Sequence, residues 1–266
     1  MRPRIVIIAV FLISTFLATH CSISDLLPLQ GKILFGVMES QRSSDCNCVP
    51  DITLVMKTEQ IYGCLNFQIK TDMSRSGGQI DLKILGIKSP EGYCLTALGP
   101  ATARQVLDLP AGTYALNLYY NYAVDRYHLI INADSLQVVS TVSFFSQPEF
   151  TVFWRFPPNS FVYLCGTMTE TSWICDDFLA RLLGEVDLEE FNFPDYGEIP
   201  YPRYSEGYYY NAPGRYYSYE TEEDFDRAGE ILRAYSKDVV SRHEGVSLWL
   251  QNWKNKSYRS WLLEYP

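Results

Sequence analysis

Residues 114–131, YALNLYYNYAVDRYHLII, decide the fold of the N-terminal half of the chain. Apolar and aromatic side chains alternate with other residues along 114–120 and again along 127–131, and the short segment 121–123 separates the two runs. Because successive side chains of a strand point to opposite faces, this pattern predicts a β-hairpin with one buried face.

The same period of two extends outward from this hairpin, from Ile52 to about Val142. The run 61–70 is predicted as one continuous strand. Turn-forming residues at 76–78, 89–92 and 110–112 separate the strands at intervals typical of a sandwich. The pattern predicts an antiparallel β-sandwich over residues 22–150, with seven or eight strands in two sheets.

The run from Leu109 to Leu116, LPAGTYAL, resembles the closing hairpin of extracellular β-sandwich modules such as prealbumin-like or fibronectin-like domains. The resemblance implies an Ig-like (immunoglobulin-like) or prealbumin-like sandwich. It carries no functional residue across, because one architecture hosts many functions.

A basic start with Arg2 and Arg4, followed by an apolar run from Ile5 to Ala18, is typical of an export signal. The 14 residues of the apolar run span about 21 Å as a helix, less than the roughly 30 Å hydrocarbon core of a bilayer. Residues 1–21 are therefore predicted to be a signal peptide.

The exported protein is either secreted or anchored at the cell envelope by a lipid on Cys21. His20 stands where a lipidated cysteine is usually preceded by a small residue, so both routes stay open.

Six cysteines remain once Cys21 is acylated or removed: Cys46, Cys48, Cys64, Cys94, Cys165 and Cys175. An even number in an exported chain predicts up to three disulfides. Proximity pairs Cys165 with Cys175 and leaves Cys46 and Cys48 to bond with Cys64 and Cys94 in an open order. A metal site built from those last four cysteines is the less favoured alternative, and no metal or cofactor is predicted.

Acidic residues dominate the charge. The whole chain has a net charge of −9, and removal of Arg2 and Arg4 leaves 20 basic against 31 acidic residues, or −11. Such a surface repels phosphate backbones, so nucleic acid is not a predicted partner. Contact with a membrane is predicted only through a lipid on Cys21.

Residues 151–266 are predicted to form a smaller α+β domain that follows a boundary at Phe156 to Asn159. Helical spacing runs from Trp173 to Val186, with Thr171 or Ser172 as the cap. A second helix is predicted to start at Thr221, with Asp224 completing a capping box, and to end near Gly245. The last two strands of a C-terminal β-hairpin are predicted at Val246 to Trp253 and at Tyr258 to Tyr265.

A tyrosine-rich loop, residues 193–220, contains nine tyrosines mixed with Pro, Gly, Ser and Asn. Binding loops use this mixture, because tyrosine offers a large contact area at a low entropy cost. The predicted ligand-binding residues are Tyr201, Tyr204, Tyr208, Tyr209, Tyr210, Tyr216 and Tyr217. The alternative is a segment that wraps the domain and buries its rings. Trp249, Trp253 and Trp261 either extend the aromatic surface or pack in the core.

The predicted function is non-catalytic binding of a protein or glycan at the cell envelope. The chain has no G-x-S-x-G motif, and His128 and His243 occupy ordinary strand and helix-end positions. The first alternative is an extracytoplasmic hydrolase that uses carboxylates of residues 195–206, where Asp195, Glu198 and Glu206 lie. The second is a purely structural or assembly role.

Overall fold

A computed structural model of the chain describes residues 26–41 and 47–262. The predicted signal peptide, Cys21 and Cys46 lie outside these residues. The chain is mostly β, with 47% of its residues in strands, and the strands form one large curled sheet and one small sheet with two helices. Neither helix in the described part has the length and apolar content needed to cross a membrane.

The first sheet is mixed, and its strand order is β10-β2-β3-β6-β4-β5-β7-β8-β9-β11, with β1 paired to β5. Its strands in the described residues are β1 (Leu26–Leu27), β2 (Ile33–Ser40), β3 (Asp51–Tyr62), β4 (Gln68–Ser76), β5 (Gln79–Lys88), β6 (Gly99–Val106), β7 (Gly112–Tyr120), β8 (Ala123–Ile131), β9 (Ser135–Val142), β10 (Ser146–Pro148) and β11 (Val152–Trp154).

The two outer strands of this order are close in sequence, which curls the sheet. β10 pairs with β2 at one edge, β11 pairs with β9 at the other edge, and only residues 149–151 separate β10 from β11. The curled sheet encloses a core of side chains such as Phe35, Leu82, Leu118 and Leu129, all completely buried.

The hairpin predicted from residues 114–131 is confirmed. β7 and β8 pair antiparallel from Gly112↔Ile131 to Tyr120↔Ala123, and the turn holds Asn121 at a φ of 52°. Asparagine tolerates this left-handed conformation better than most residues do, which explains the tight reversal.

Three predictions about the first sheet are wrong. The sheet is not purely antiparallel. β6 runs opposite to β5 and returns the chain to the end of the sheet where β5 begins, so β7 runs parallel to β5. The run 61–70 is not one strand, because β3 ends at Tyr62 and β4 begins at Gln68. The described strands form one 11-stranded sheet instead of the predicted seven or eight strands in two sheets. The Ig-like or prealbumin-like type stays a prediction.

The second sheet has β12 at its centre, in the order β13-β15-β12-β16-β17, and β14 also pairs with β12. All of its pairings are antiparallel. Its strands are β12 (Ser160–Thr167), β13 (Glu189–Phe191), β14 (Tyr210–Asn211), β15 (Arg215–Ser218), β16 (Ser247–Asn252) and β17 (Ser257–Arg259). The predicted C-terminal hairpin is thus present, with a shorter second strand.

Both predicted helices are confirmed in the described residues. They are α1 (Trp173–Glu185) and α2 (Glu222–Asp238). The carboxylate of Asp224 accepts a hydrogen bond of 2.8 Å from the N–H of Thr221, which is half of a capping box. The helix ends at Asp238, before Gly245, because a separate 3-10 turn at Val240–Arg242 follows.

Two disulfides are defined. Cys165 of β12 is joined to Cys175 of α1, as predicted. Cys64 is joined to Cys94, so the prediction that these two bond with Cys46 and Cys48 is wrong. The reason is geometric: β3 and β6 are neighbours, and the turns beside them bring Cys64 and Cys94 to a Cα separation of 5.4 Å. Cys48 is also disulfide-bonded.

The two sheets are joined at a buried carboxylate. Glu39, at the end of β2, accepts hydrogen bonds from Arg155 Nε at 2.7 Å and from the N–H of Phe156 at 2.8 Å. Arg155 also donates to the carbonyl of Asn132 at 2.9 Å. These bonds hold the segment that connects the sheets, and they position the second sheet at the end of the first sheet where β2 ends and β9 begins.

Candidate functional site

The tyrosine-rich loop covers the face of the second sheet opposite the helices. Phe161, Tyr163 and Cys165 of β12 point to the helices, whereas Val162 and Leu164 point to the loop. Within residues 193–220 the structure also has the short strands β14 and β15, so the segment is not a continuous loop. The sheet is therefore sandwiched between two helices and an aromatic layer.

Three of the seven predicted binding tyrosines are buried in this sandwich. Tyr201 and Tyr216 pack together on the loop side with ring centroids 5.9 Å apart, and Tyr217 stacks on Phe161 on the helix side at 5.6 Å. Burial raises the pKa of Tyr201 well above its ordinary value and that of Tyr217 to about 12. These three side chains support the fold and are closed to a ligand.

The other four tyrosines are accessible, and two of them line a groove of about 430 Å³. Tyr204 and Tyr208 form one part of its lining and Trp249 and Trp261 another, with Glu206 and Arg259 as charged groups. Tyr209 and Tyr210, which are 82% and 39% exposed, do not line this groove. The structure therefore places Tyr204 and Tyr208 beside two tryptophans in one groove and leaves Tyr209 and Tyr210 outside it.

Arg259 is held between two indole rings. Its guanidinium carbon lies 4.7 Å from the ring centroid of Trp249, its partner across the β16–β17 pair, and 5.7 Å from that of Trp261. No carboxylate in the described residues lies within ion-pair distance of Arg259. Cation–π contacts thus hold the guanidinium between the two rings, and no carboxylate among the described residues neutralises its charge.

Tyr208 is positioned by the neighbouring strand pair. Its ring lies against Gly166 of β12, where any Cβ would collide with it. Asn211 donates a hydrogen bond of 2.8 Å to the carbonyl of Tyr208, and β14 pairs with β12 at Gly166. A glycine at position 166 is therefore what lets the tyrosine side chain approach the sheet and line the groove.

The three acids proposed for hydrolysis are separated. Asp195, Glu198 and Glu206 are all exposed. Glu206 lines the groove, whereas Glu198 lines a different cavity of about 360 Å³ together with Glu149, which forms an ion pair with Lys57 at 2.5 Å. A glycosidase needs two carboxylates that face each other across one substrate, and this arrangement does not bring Glu198 and Glu206 to one cavity.

The two described histidines lie outside the groove, and the described cysteines are disulfide-bonded. His128 is exposed on β8, and the ring of His243 packs edge-on against Trp173 at 5.7 Å. The disulfide between Cys64 and Cys94 consumes two of the sulfurs that a four-cysteine metal site would need. Among the described residues, no cluster of three or more His, Cys, Asp or Glu side chains is arranged to hold a metal ion.

Comparison with protein families, with curated proteins and with solved structures finds no match to this chain. The function is therefore argued from the groove itself.

Proposed function

We propose that this chain is an exported binding protein that recognises a glycan in the groove between Tyr204, Tyr208, Trp249 and Trp261, without catalysis. The observation that supports this function best is the convergence of four aromatic side chains on one concavity of about 430 Å³, with Tyr204 and Trp261 exposed and Tyr208 and Trp249 partly buried. Sugar rings have apolar faces that stack on such side chains, and aromatic side chains also carry polar tips for hydrogen bonds.

The charged groups of the groove suit the same ligand. Arg259 provides several N–H donors in a fixed plane, and Glu206 provides acceptors. Sugar hydroxyls both donate and accept hydrogen bonds, so a donor and an acceptor in one small site can orient a glycan. A concave site with a few polar groups among aromatic walls is typical of small-ligand recognition, whereas a protein partner usually requires a larger and flatter surface.

Export is part of the proposal. The disulfides between Cys64 and Cys94 and between Cys165 and Cys175 are consistent with an oxidising compartment. The signal peptide predicted from residues 1–21 supplies the route, and a lipid on Cys21 would keep the protein at the cell envelope. The net charge of −9 gives no attraction to nucleic acid.

A glycan array tests this function directly. The mature chain, residues 22–266, is applied beside a variant with Tyr204→Ser and Tyr208→Ser and beside a matched control with Tyr209→Ser and Tyr210→Ser. We expect the wild type and the control to bind the same glycans and the groove variant to lose them. Binding that disappears in the control instead, or no glycan binding by the wild type, would contradict the proposal.

A further inference from the structure

One end of the first sheet gathers exposed apolar side chains. The strand directions place the residue Leu26, where the described chain begins, at the same end as the turns 63–67, 89–98, 121–122 and 143–145. We call it the Leu26 end. The side chains exposed there, all in turns, are Leu65, Tyr93, Leu95, Leu98, Tyr122 and Phe144. Large apolar groups concentrated at one end of a folded sheet mark a contact surface.

The exposed side chains stand on a fixed backbone. The disulfide between Cys64 and Cys94 joins two of the turns, and the carbonyl of Tyr93 accepts a hydrogen bond of 2.9 Å from Asn66. The buried carboxylate of Asp125 accepts a bond of 2.7 Å from the N–H of Phe144. The turns therefore hold their apolar side chains in water. This exposure is unfavourable unless another surface covers the side chains.

Charge distinguishes the Leu26 end from the rest of the chain. The turns 63–67, 89–98, 121–122 and 143–145 contain one charged side chain, Glu91, and it forms an ion pair with Lys88. The whole chain has a net charge of −9. An end without net charge avoids the repulsion that an acidic surface meets at anionic lipid headgroups.

The path of the chain also favours a lipid bilayer as the partner of the Leu26 end. Five residues lead from Cys21 to Leu26, and at about 3.5 Å per residue they reach about 18 Å at most. An acyl chain on Cys21 would hold the Leu26 end against the bilayer. The second sheet joins the first at the opposite end, through Glu39 and Arg155. A β3 of 12 residues spans about 40 Å, so about this distance separates the Leu26 end from the end that carries the second sheet.

We infer that the Leu26 end of the first sheet is a membrane-contact surface, with its turns inserted at the level of the lipid headgroups. The contact uses Tyr93, Leu95 and Leu98 together with Tyr122 and Phe144. Amphipathic tyrosines and leucines are suited to this interface. This inference does not depend on the glycan groove, and it gives the chain a defined orientation at the envelope.

Vesicle sedimentation tests the inference without the acyl chain. Residues 22–266, which lack Cys21, are mixed with vesicles of phosphatidylcholine and phosphatidylglycerol. The test variant carries Tyr93→Ser, Leu95→Ser and Leu98→Ser. The matched control carries Val49→Ser, Val106→Ser and Val139→Ser, three exposed apolar positions outside the Leu26 end. We expect the test variant to lower the partition coefficient at least about tenfold, and the control to leave it unchanged.

Two results would overturn the inference. One is that the wild-type chain does not bind the vesicles, or that the test variant binds them as tightly as the wild type does. The other is a concentration-dependent dimer in analytical ultracentrifugation that the test variant abolishes while vesicle binding persists, since it would assign the surface to a second copy of the chain. If the triple variant shifts the urea midpoint, a variant with Tyr122→Ser and Phe144→Ser repeats the test on neighbouring turns.

Discussion

Replacing Glu39 by glutamine is expected to weaken the junction between the two sheets. The side chain of Glu39 is 3% exposed and accepts two hydrogen bonds, from Arg155 Nε and from the N–H of Phe156. Glutamine has nearly the same shape but only one acceptor oxygen, so its NH₂ group must face one of the two donors. The perturbation therefore removes a charge and one bond without creating a cavity.

The expected cost follows from the contacts. A hydrogen bond to a charged group contributes about 1.5–3 kcal/mol, and breaking a fully buried ion pair costs about 3–5 kcal/mol. The side chain of Arg155 is 26% exposed, so water recovers part of its solvation. We expect Glu39→Gln to lower the free energy of unfolding by about 2–3 kcal/mol. Urea denaturation followed by tryptophan fluorescence should show a midpoint lower by roughly 1 M at an unchanged m-value.

Glu190→Gln is the matched control. Glu190 also accepts two bonds from an arginine, Arg215, but its side chain is 41% exposed. Exposed ion pairs contribute about 0–1 kcal/mol, so this change should move the midpoint far less. Equal midpoint shifts for Glu39→Gln and Glu190→Gln would refute the reasoning, because burial would then have no effect on the value of the two carboxylates.

Three further results are expected. Asp125→Asn should cost about 2–4 kcal/mol of stability in thermal melts, because the buried carboxylate accepts bonds from three backbone N–H groups and the Ser146 hydroxyl; a loss below about 0.5 kcal/mol would contradict this. Burial raises the pKa of Tyr217 and Tyr219 to about 12, so the unfolded state ionises first and stability should fall between pH 10 and 12; equal urea midpoints at pH 9 and pH 11 would exclude it. Gly166→Ala should displace Tyr208 and weaken glycan binding at least about fivefold while the melting temperature stays within a few degrees; an unchanged affinity would show that Tyr208 does not shape the groove.

The parts of the fold that the sequence predicted are local. The β7–β8 hairpin has a strict period of two and a short reversal, and α2 starts at a threonine followed by a capping aspartate. The missed features depend on contacts between distant segments. Cys64 meets Cys94 because β3 and β6 are neighbours in the sheet, and no local pattern indicates that neighbour.

The candidate site shows the same limit. Tyr216 and Tyr217 are adjacent on β15, so they point to opposite faces and both become buried once helices cover one face and the loop covers the other. Composition alone could not separate them from Tyr204 and Tyr208. The role of Arg259 depends on the hairpin register: a reversal centred on Asn255 would place Trp261 opposite Trp249, whereas the actual register pairs Trp249 with Arg259.

The central claim is that the groove binds a glycan, and isothermal titration with the glycan selected on the array tests it most directly. Tyr204→Ser with Tyr208→Ser removes two stacking rings, each worth about 1 kcal/mol beyond area burial, and should weaken the affinity at least about 30-fold. Tyr209→Ser with Tyr210→Ser should leave the affinity within about twofold. An unchanged affinity in the Tyr204 and Tyr208 variant would contradict the account.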